Sequence, residues 1–101
     1  MAKDTPVCFV DTALVWTGTS EQTYTVPAGA SRVVFQSVGT TDVTWIQTTG
    51  SSTKTWLLEY KKDPRPAAQL ELRGDSIPVE ALIFSGANGS RLEVFYETSV
   101  L

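Results

Sequence analysis

The chain has 101 residues, enough for one domain with a real core and too few for two. Apolar residues make up 42% and charged residues 19%, a globular balance that excludes wholesale disorder. Eight basic residues against eleven acidic ones leave a net charge of −3, so the broad positive footprint of a nucleic-acid binder is missing and direct nucleic-acid binding is disfavoured.

The N-terminal "MAKDTPV" lacks the apolar core of a signal peptide, and no apolar run approaches the roughly 18 residues of a membrane span. Both features predict a chain made in a cytoplasm and free of the membrane. Residues 1–6 are a candidate N-terminal arm, and a single domain is expected over 1–101. A first strand is predicted over about 7–16. Its Cys8, in "PVCFV", reads as a small buried hydrophobe, and a lone cysteine allows neither an intrachain disulfide nor a multi-cysteine zinc site.

From there the chain alternates with a period of two, which sorts side chains onto the two faces of a pleat. In "TYTV" Tyr24 and Val26 oppose Thr23 and Thr25; in "RVVFQSV" Val33 and Phe35 oppose Arg32, Val34 and Gln36. In "VTWIQ" Val43 and Trp45 oppose Thr44 and Ile46, and in "TWLLEYK" Trp56, Leu58 and Tyr60 oppose Leu57, Glu59 and Lys61. "QLELR" sets Leu70 and Leu72 against Gln69, Glu71 and Arg73. A strand over about 79–85 follows, and "RLEVFYE" closes the chain with Leu92, Val94 and Tyr96 opposing Arg91, Glu93, Phe95 and Glu97. Turn-forming residues punctuate these runs about every ten positions, as in a sandwich or barrel. The expectation is an all-β, antiparallel β-sandwich of about eight strands with jelly-roll connectivity, an immunoglobulin-like order being the alternative.

Two short motifs read as turns. Arg73-Gly74-Asp75-Ser76 has the letters of a cell-adhesion signal, but it falls at a strand junction where Gly supplies positive φ, Asp and Ser bond nearby backbone, and Pro78 sets an extended exit. Asn88-Gly89-Ser90 has the form of a glycosylation acceptor. Between "ALIFSGA" and "RLEVFYE" the same Asn-Gly is a signal for a hairpin with a type I′ turn.

Catalytic chemistry finds few candidates. Histidine is absent, and the acidic residues are spread one or two per segment on the polar sides of strands. No metal-ligand spacing, phosphate-cradling loop or nucleophile elbow occurs, so neither an enzyme nor a cofactor is expected.

Trp16, Trp45 and Trp56 read first as core, with one or two of them available as anchors stacked on a sugar or buried against a protein. Val34, Ile46, Leu57 and Phe95 make some strands apolar on both faces, which suggests partner contacts. "KKDPRP" is the main charge cluster, a proline-stiffened basic loop suited to an acidic patch on a neighbour. The candidate interface residues are therefore Lys61, Lys62, Asp63, Arg65, Ile46, Leu57 and Phe95.

The runs "YTVPAGASRVVFQSVGTTDVTWIQTT" (24–49) and "LELRGDSIPVEALIFSGANGSRLEVFYE" (70–97), about two thirds of the chain, resemble small all-β virion proteins of tailed bacteriophages. Three features carry the resemblance: the "TVPAGAS" lead-in to a strand, the "VGTTDVTWIQ" strand pair and the closing "LIFSGANGSRLEVFYE". Among these proteins, head decoration (cement) proteins are the most similar. The resemblance implies a location on the outer capsid, dimers or trimers at symmetry positions, and bridging of major-capsid subunits. It implies no transferable site residues and explains neither the basic loop nor the Arg-Gly-Asp turn. The competing reading is a carbohydrate- or receptor-binding module, and the two differ in where the exposed aromatics lie: gathered in a concave site for sugar, spread over flat patches for assembly.

Overall fold

A period of two in hydrophobicity becomes eight strands in the computed structural model, which describes residues 5–49, 52–62 and 66–100. They are β1 (Thr5–Val15), β2 (Ser20–Tyr24), β3 (Ala30–Ser37), β4 (Val43–Thr49), β5 (Ser52–Leu58), β6 (Gln69–Arg73), β7 (Leu82–Gly86) and β8 (Arg91–Val100). A 3-10 turn, Gly74–Ser76, follows β6.

The strands form two four-stranded antiparallel sheets, β1-β8-β3-β6 and β2-β7-β4-β5. Every connection but one carries the chain from one sheet to the other; only β4 and β5 are neighbours in both sequence and sheet. That order is the jelly roll. Of the candidate arm, Thr5 and Pro6 belong to β1 and oppose Val100 and Ser99, while residues 1–4 lie outside the described residues.

The faces follow the alternation. Val33, Phe35, Val43, Phe84, Leu92 and Val94 are fully buried between the sheets, joined by Tyr24, Val26, Trp45, Leu58 and Leu82. Leu70, Leu72 and Tyr96 pack against them from the periphery. Aromatic rings bind the layers: Tyr24 meets Phe35 edge-on at 5.7 Å, and Phe35 meets Phe84 at 5.0 Å. Truncating such a side chain costs about 3–5 kcal/mol, because the cavity left behind adds to the lost transfer energy. The side chain of Cys8 lies outside the described residues.

The Arg-Gly-Asp stretch is a turn. Gly74 takes φ +53, Ile77 N donates to Gly74 O at 3.1 Å, and the Ser76 hydroxyl accepts from Arg73 N at 2.9 Å while donating to Arg73 O at 2.6 Å. Ser76, not Asp75, makes these backbone bonds.

The Asn-Gly stretch differs from its prediction. β7 and β8 lie in different sheets, so residues 87–90 do not close a hairpin; they hand the chain across the sandwich. Only Gly89 has positive φ (+95), Asn88 does not, and Ser90 N donates to Ala87 O at 2.9 Å. A single positive φ at the third residue is the type II pattern; type I′ needs two.

What holds this crossing is other loops. Gly89 N donates to Trp16 O at 3.1 Å, and Ser90 O accepts from Trp16 N at 3.0 Å. Thr40 N donates to Gly89 O at 2.9 Å, and Val38 N to Arg91 O at 2.8 Å. The buried Ser90 hydroxyl shares a short hydrogen bond with Thr41 Oγ1 and accepts from Ala87 N at 3.1 Å. Trp16, 2% exposed, adds Nε1 donating to Ser20 O at 2.9 Å. Three connections are thus knotted at one end of the sandwich.

Candidate protein-interaction surface

The β4–β5 hairpin is built differently. Among the described residues β5 is an edge strand, paired with β4 alone, and all its residues from Ser52 to Leu57 are exposed. Trp45 and Trp56 are direct register partners and stack with centroids 4.5 Å apart. Trp45 is buried under the sandwich rim, whereas Trp56 is 39% exposed. Leu57 points to the opposite side of the strand and is 57% exposed. Two adjacent large apolar side chains therefore reach solvent on both faces of one edge.

On the outer face of this sheet Ile46 lies level with Ile83, and Leu57 sits in the next row opposite Thr44. β4 separates from β7 after Ile46, because β7 begins at Leu82 and the remaining register of β4 is with β5 alone. A hollow of about 440 Å³ fills the notch, lined by Trp45, Gln47, Pro78, Glu80 and Ile83 among others. The Trp45 Nε1 is buried without a hydrogen-bond partner. A second hollow, of about 340 Å³, lies between the Thr25–Ala30 loop and the Gly74–Val79 segment.

The sequence candidates do not converge on one site. Ile46 and Leu57 share the outer face of the β2-β7-β4-β5 sheet. Phe95 belongs to the other sheet, half-buried on its outer face beside Val34. Lys61 is exposed just beyond β5. The Lys62 ammonium is occupied within the chain: it lies 3.4 Å from Glu59 and 3.5 Å from Asp42, and 4.8 Å from the Tyr60 ring centroid. Burial opposes its charge, but the hydrogen bond to Glu59 and the charges of Asp42 and Glu59 outweigh it and hold its pKa above the ordinary lysine value. Asp63 and Arg65 lie outside the described residues.

Across the sandwich, the β1-β8-β3-β6 sheet carries a charge row. Arg32 bonds Glu97 at 2.7 Å and Glu71 at 3.0 Å, and Arg73 also pairs with Glu71. The hydrogen bond from Arg32, then that from Arg73, holds the Glu71 carboxyl below its ordinary range. These carboxylates are engaged by arginines as solvent-screened surface ion pairs, which contribute little to stability. Among the described residues no three metal-ligating side chains come together, and no helix is long and apolar enough to cross a membrane.

Reading the sequence missed two features. Phe9 (41% exposed) meets Tyr96 at a tilt with centroids 5.2 Å apart near the start of edge strand β1, and Val79 is 87% exposed beside the second hollow. No sequence pattern signals either, since exposure there depends on which strands end up at edges.

No protein-family model matches the chain, and no curated protein does. Among solved structures it is similar to TmCBM61, solved in complex with β-1,4-galactotriose. The TM-score is 0.38 and the identity 16%, over 87% of this chain and 69% of that one.

Proposed function

We propose that this chain is a non-enzymatic structural protein that works by contact with other proteins, and that it decorates the outer surface of a bacteriophage capsid by bridging major-capsid subunits. The observation that carries the reading is the β5 edge, where Trp56 and Leu57 expose apolar surface on both faces of a strand that lacks an outer partner among the described residues. The chain's other exposed aromatic, Phe9 of β1, packs against Tyr96 of β8 in the other sheet, so the exposed rings are spread and neither hollow described above is lined by them. Spread apolar contacts suit assembly, where modest contacts are multiplied by symmetry. The resemblance to head decoration proteins supports the more specific part.

The test is co-sedimentation of the purified chain with empty heads assembled from the major capsid protein of the same genome. Saturable binding at a fixed ratio to capsid subunits is the expected result; absence of binding at any ratio would overturn the capsid assignment.

One observation favours a second reading, a carbohydrate-binding module. The Trp45–Trp56 stack sits on the sandwich rim, with Gln47 and Glu80 lining the notch beside Trp45. An exposed indole face beside such polar groups can hold a sugar ring. Glycan-array binding that disappears in Trp56→Ala, with no binding to heads, would select this reading.

A further inference from the structure

Open sheet edges invite strand pairing, and proteins normally block them. Four strands are edges here, each with some such device, and β5 has the fewest. β1 has Pro6 and a bulge between Val10 and Thr12. β2 is five residues long and carries Glu21, and β6 is also five residues long, with the ion-paired Glu71 and Arg73. β5 has neither bulge nor proline, runs regularly against β4 over seven residues, and carries Lys54 as its lone charge.

We propose that β5 pairs antiparallel with β5 of a second copy, about a two-fold axis at Thr55 perpendicular to the sheet. The inference rests on the assembly reading above and names one partner of its edge. Such an axis keeps the inner faces of both copies on one side, so each residue meets one of the same parity. Centring the pair on Lys54 would set two like charges directly opposite, which is destabilising. Centring it on Thr55 sets Lys54 of each copy opposite Trp56 of the other, and Thr53 opposite Leu57. Lys54 and Trp56 share the inner side of β5 and are both exposed. One face of Trp56 is covered by Trp45, which leaves the other for an ammonium. The pairing is self-complementary: two cation–ring contacts form and no charge repulsion does. Two four-stranded sheets become one of eight.

Disulfide trapping tests the register. In a Cys8→Ser background, Thr55→Cys places two thiols across the axis at Cα spacings of about 4.5–5.5 Å, within disulfide reach. Thr53→Cys, on the same strand, places them about 13 Å apart along it, out of reach. Under mild oxidation Thr55→Cys is expected to run as a covalent dimer on a non-reducing gel while Thr53→Cys stays monomeric. Equal cross-linking of both, or none at Thr55→Cys, overturns the proposal. Light scattering on the chain without cysteine substitutions gives the independent measure: Lys54→Glu removes both cation–ring contacts and should raise the dimer dissociation constant about tenfold or more. A monomer that stays monomeric at every concentration also overturns the pairing. Head binding without Thr55→Cys dimers would sink the pairing and leave the capsid reading standing; dimers without head binding would do the reverse.

Discussion

Trp16 and Trp56 mark two regions with opposite constructions. Trp16 is 2% exposed, and its backbone and indole N–H tie the first connection to the crossing at Gly89–Ser90 and to Ser20. Trp56 is 39% exposed, on an edge strand whose only sheet partner among the described residues is β4. Both are large apolar rings near chain turns, yet one satisfies local backbone and the other leaves surface uncovered. The difference teaches where stability and contact reside: the loop knot resists change, and the β5 edge is available for a partner.

The comparison breaks most visibly at Trp16. Trp16→Ala should lower unfolding free energy by about 3–5 kcal/mol, read from denaturant midpoints, since a full core side chain is lost. Gly89→Val should cost about 1–3 kcal/mol, because a β-branched residue resists the positive φ that Gly89 adopts. An unchanged midpoint would show that the crossing tolerates rearrangement. Trp56→Ala should cost about 1 kcal/mol of stability, the scale of an exposed ring stack, while abolishing sedimentation with heads. A large loss of stability there would make Trp56 a core residue and remove the contrast.

The smallest effect concerns Glu71. Its folded pKa is lowered by Arg32 and Arg73, so between the folded and unfolded values the unfolded chain binds the extra proton. The stabilisation is therefore full above the ordinary glutamate value and is lost as pH falls through the lowered one. Glu71→Gln should flatten the acid limb of the stability–pH curve slightly and leave neutral-pH head binding unchanged.

Alternation made the strands and their faces legible. "QLELR" became β6 residue for residue, and the inward Val33, Phe35, Leu92 and Val94 of β3 and β8 are fully buried, although Val34, read as outward-facing, is buried as well. Boundaries were less legible where partners, not side-chain pattern, decide. "TWLLEYK" continues the period past Leu58, but Tyr60 N is taken by the Asp42 carboxylate at 3.1 Å and Glu59 O accepts from Ala68 N at 2.8 Å, so the ladder stops. The predicted 79–85 strand begins at Leu82, opposite Tyr24 at the end of β2.

The Asn-Gly turn was misread because two alternating runs look the same whether they share a sheet or cross between sheets. The choice was made by Trp16 and Thr40, which bond Gly89 from elsewhere in the chain. For the candidate surface, two-sided apolarity pointed to Ile46, Leu57 and Phe95, but only strand order could separate Phe95 from the others and put Leu57 at an edge.

Amide hydrogen exchange, followed as a function of chain concentration, tests the contrast most directly. Trp16, Thr40, Gly89 and Ser90 amides, all donors within the knot, should exchange slowly at every concentration. Amides on the outer side of β5 should exchange fast in dilute solution and slow as the concentration rises. Fast exchange of β5 at all concentrations, or slow exchange already in dilute solution, would contradict an open edge that a second copy closes.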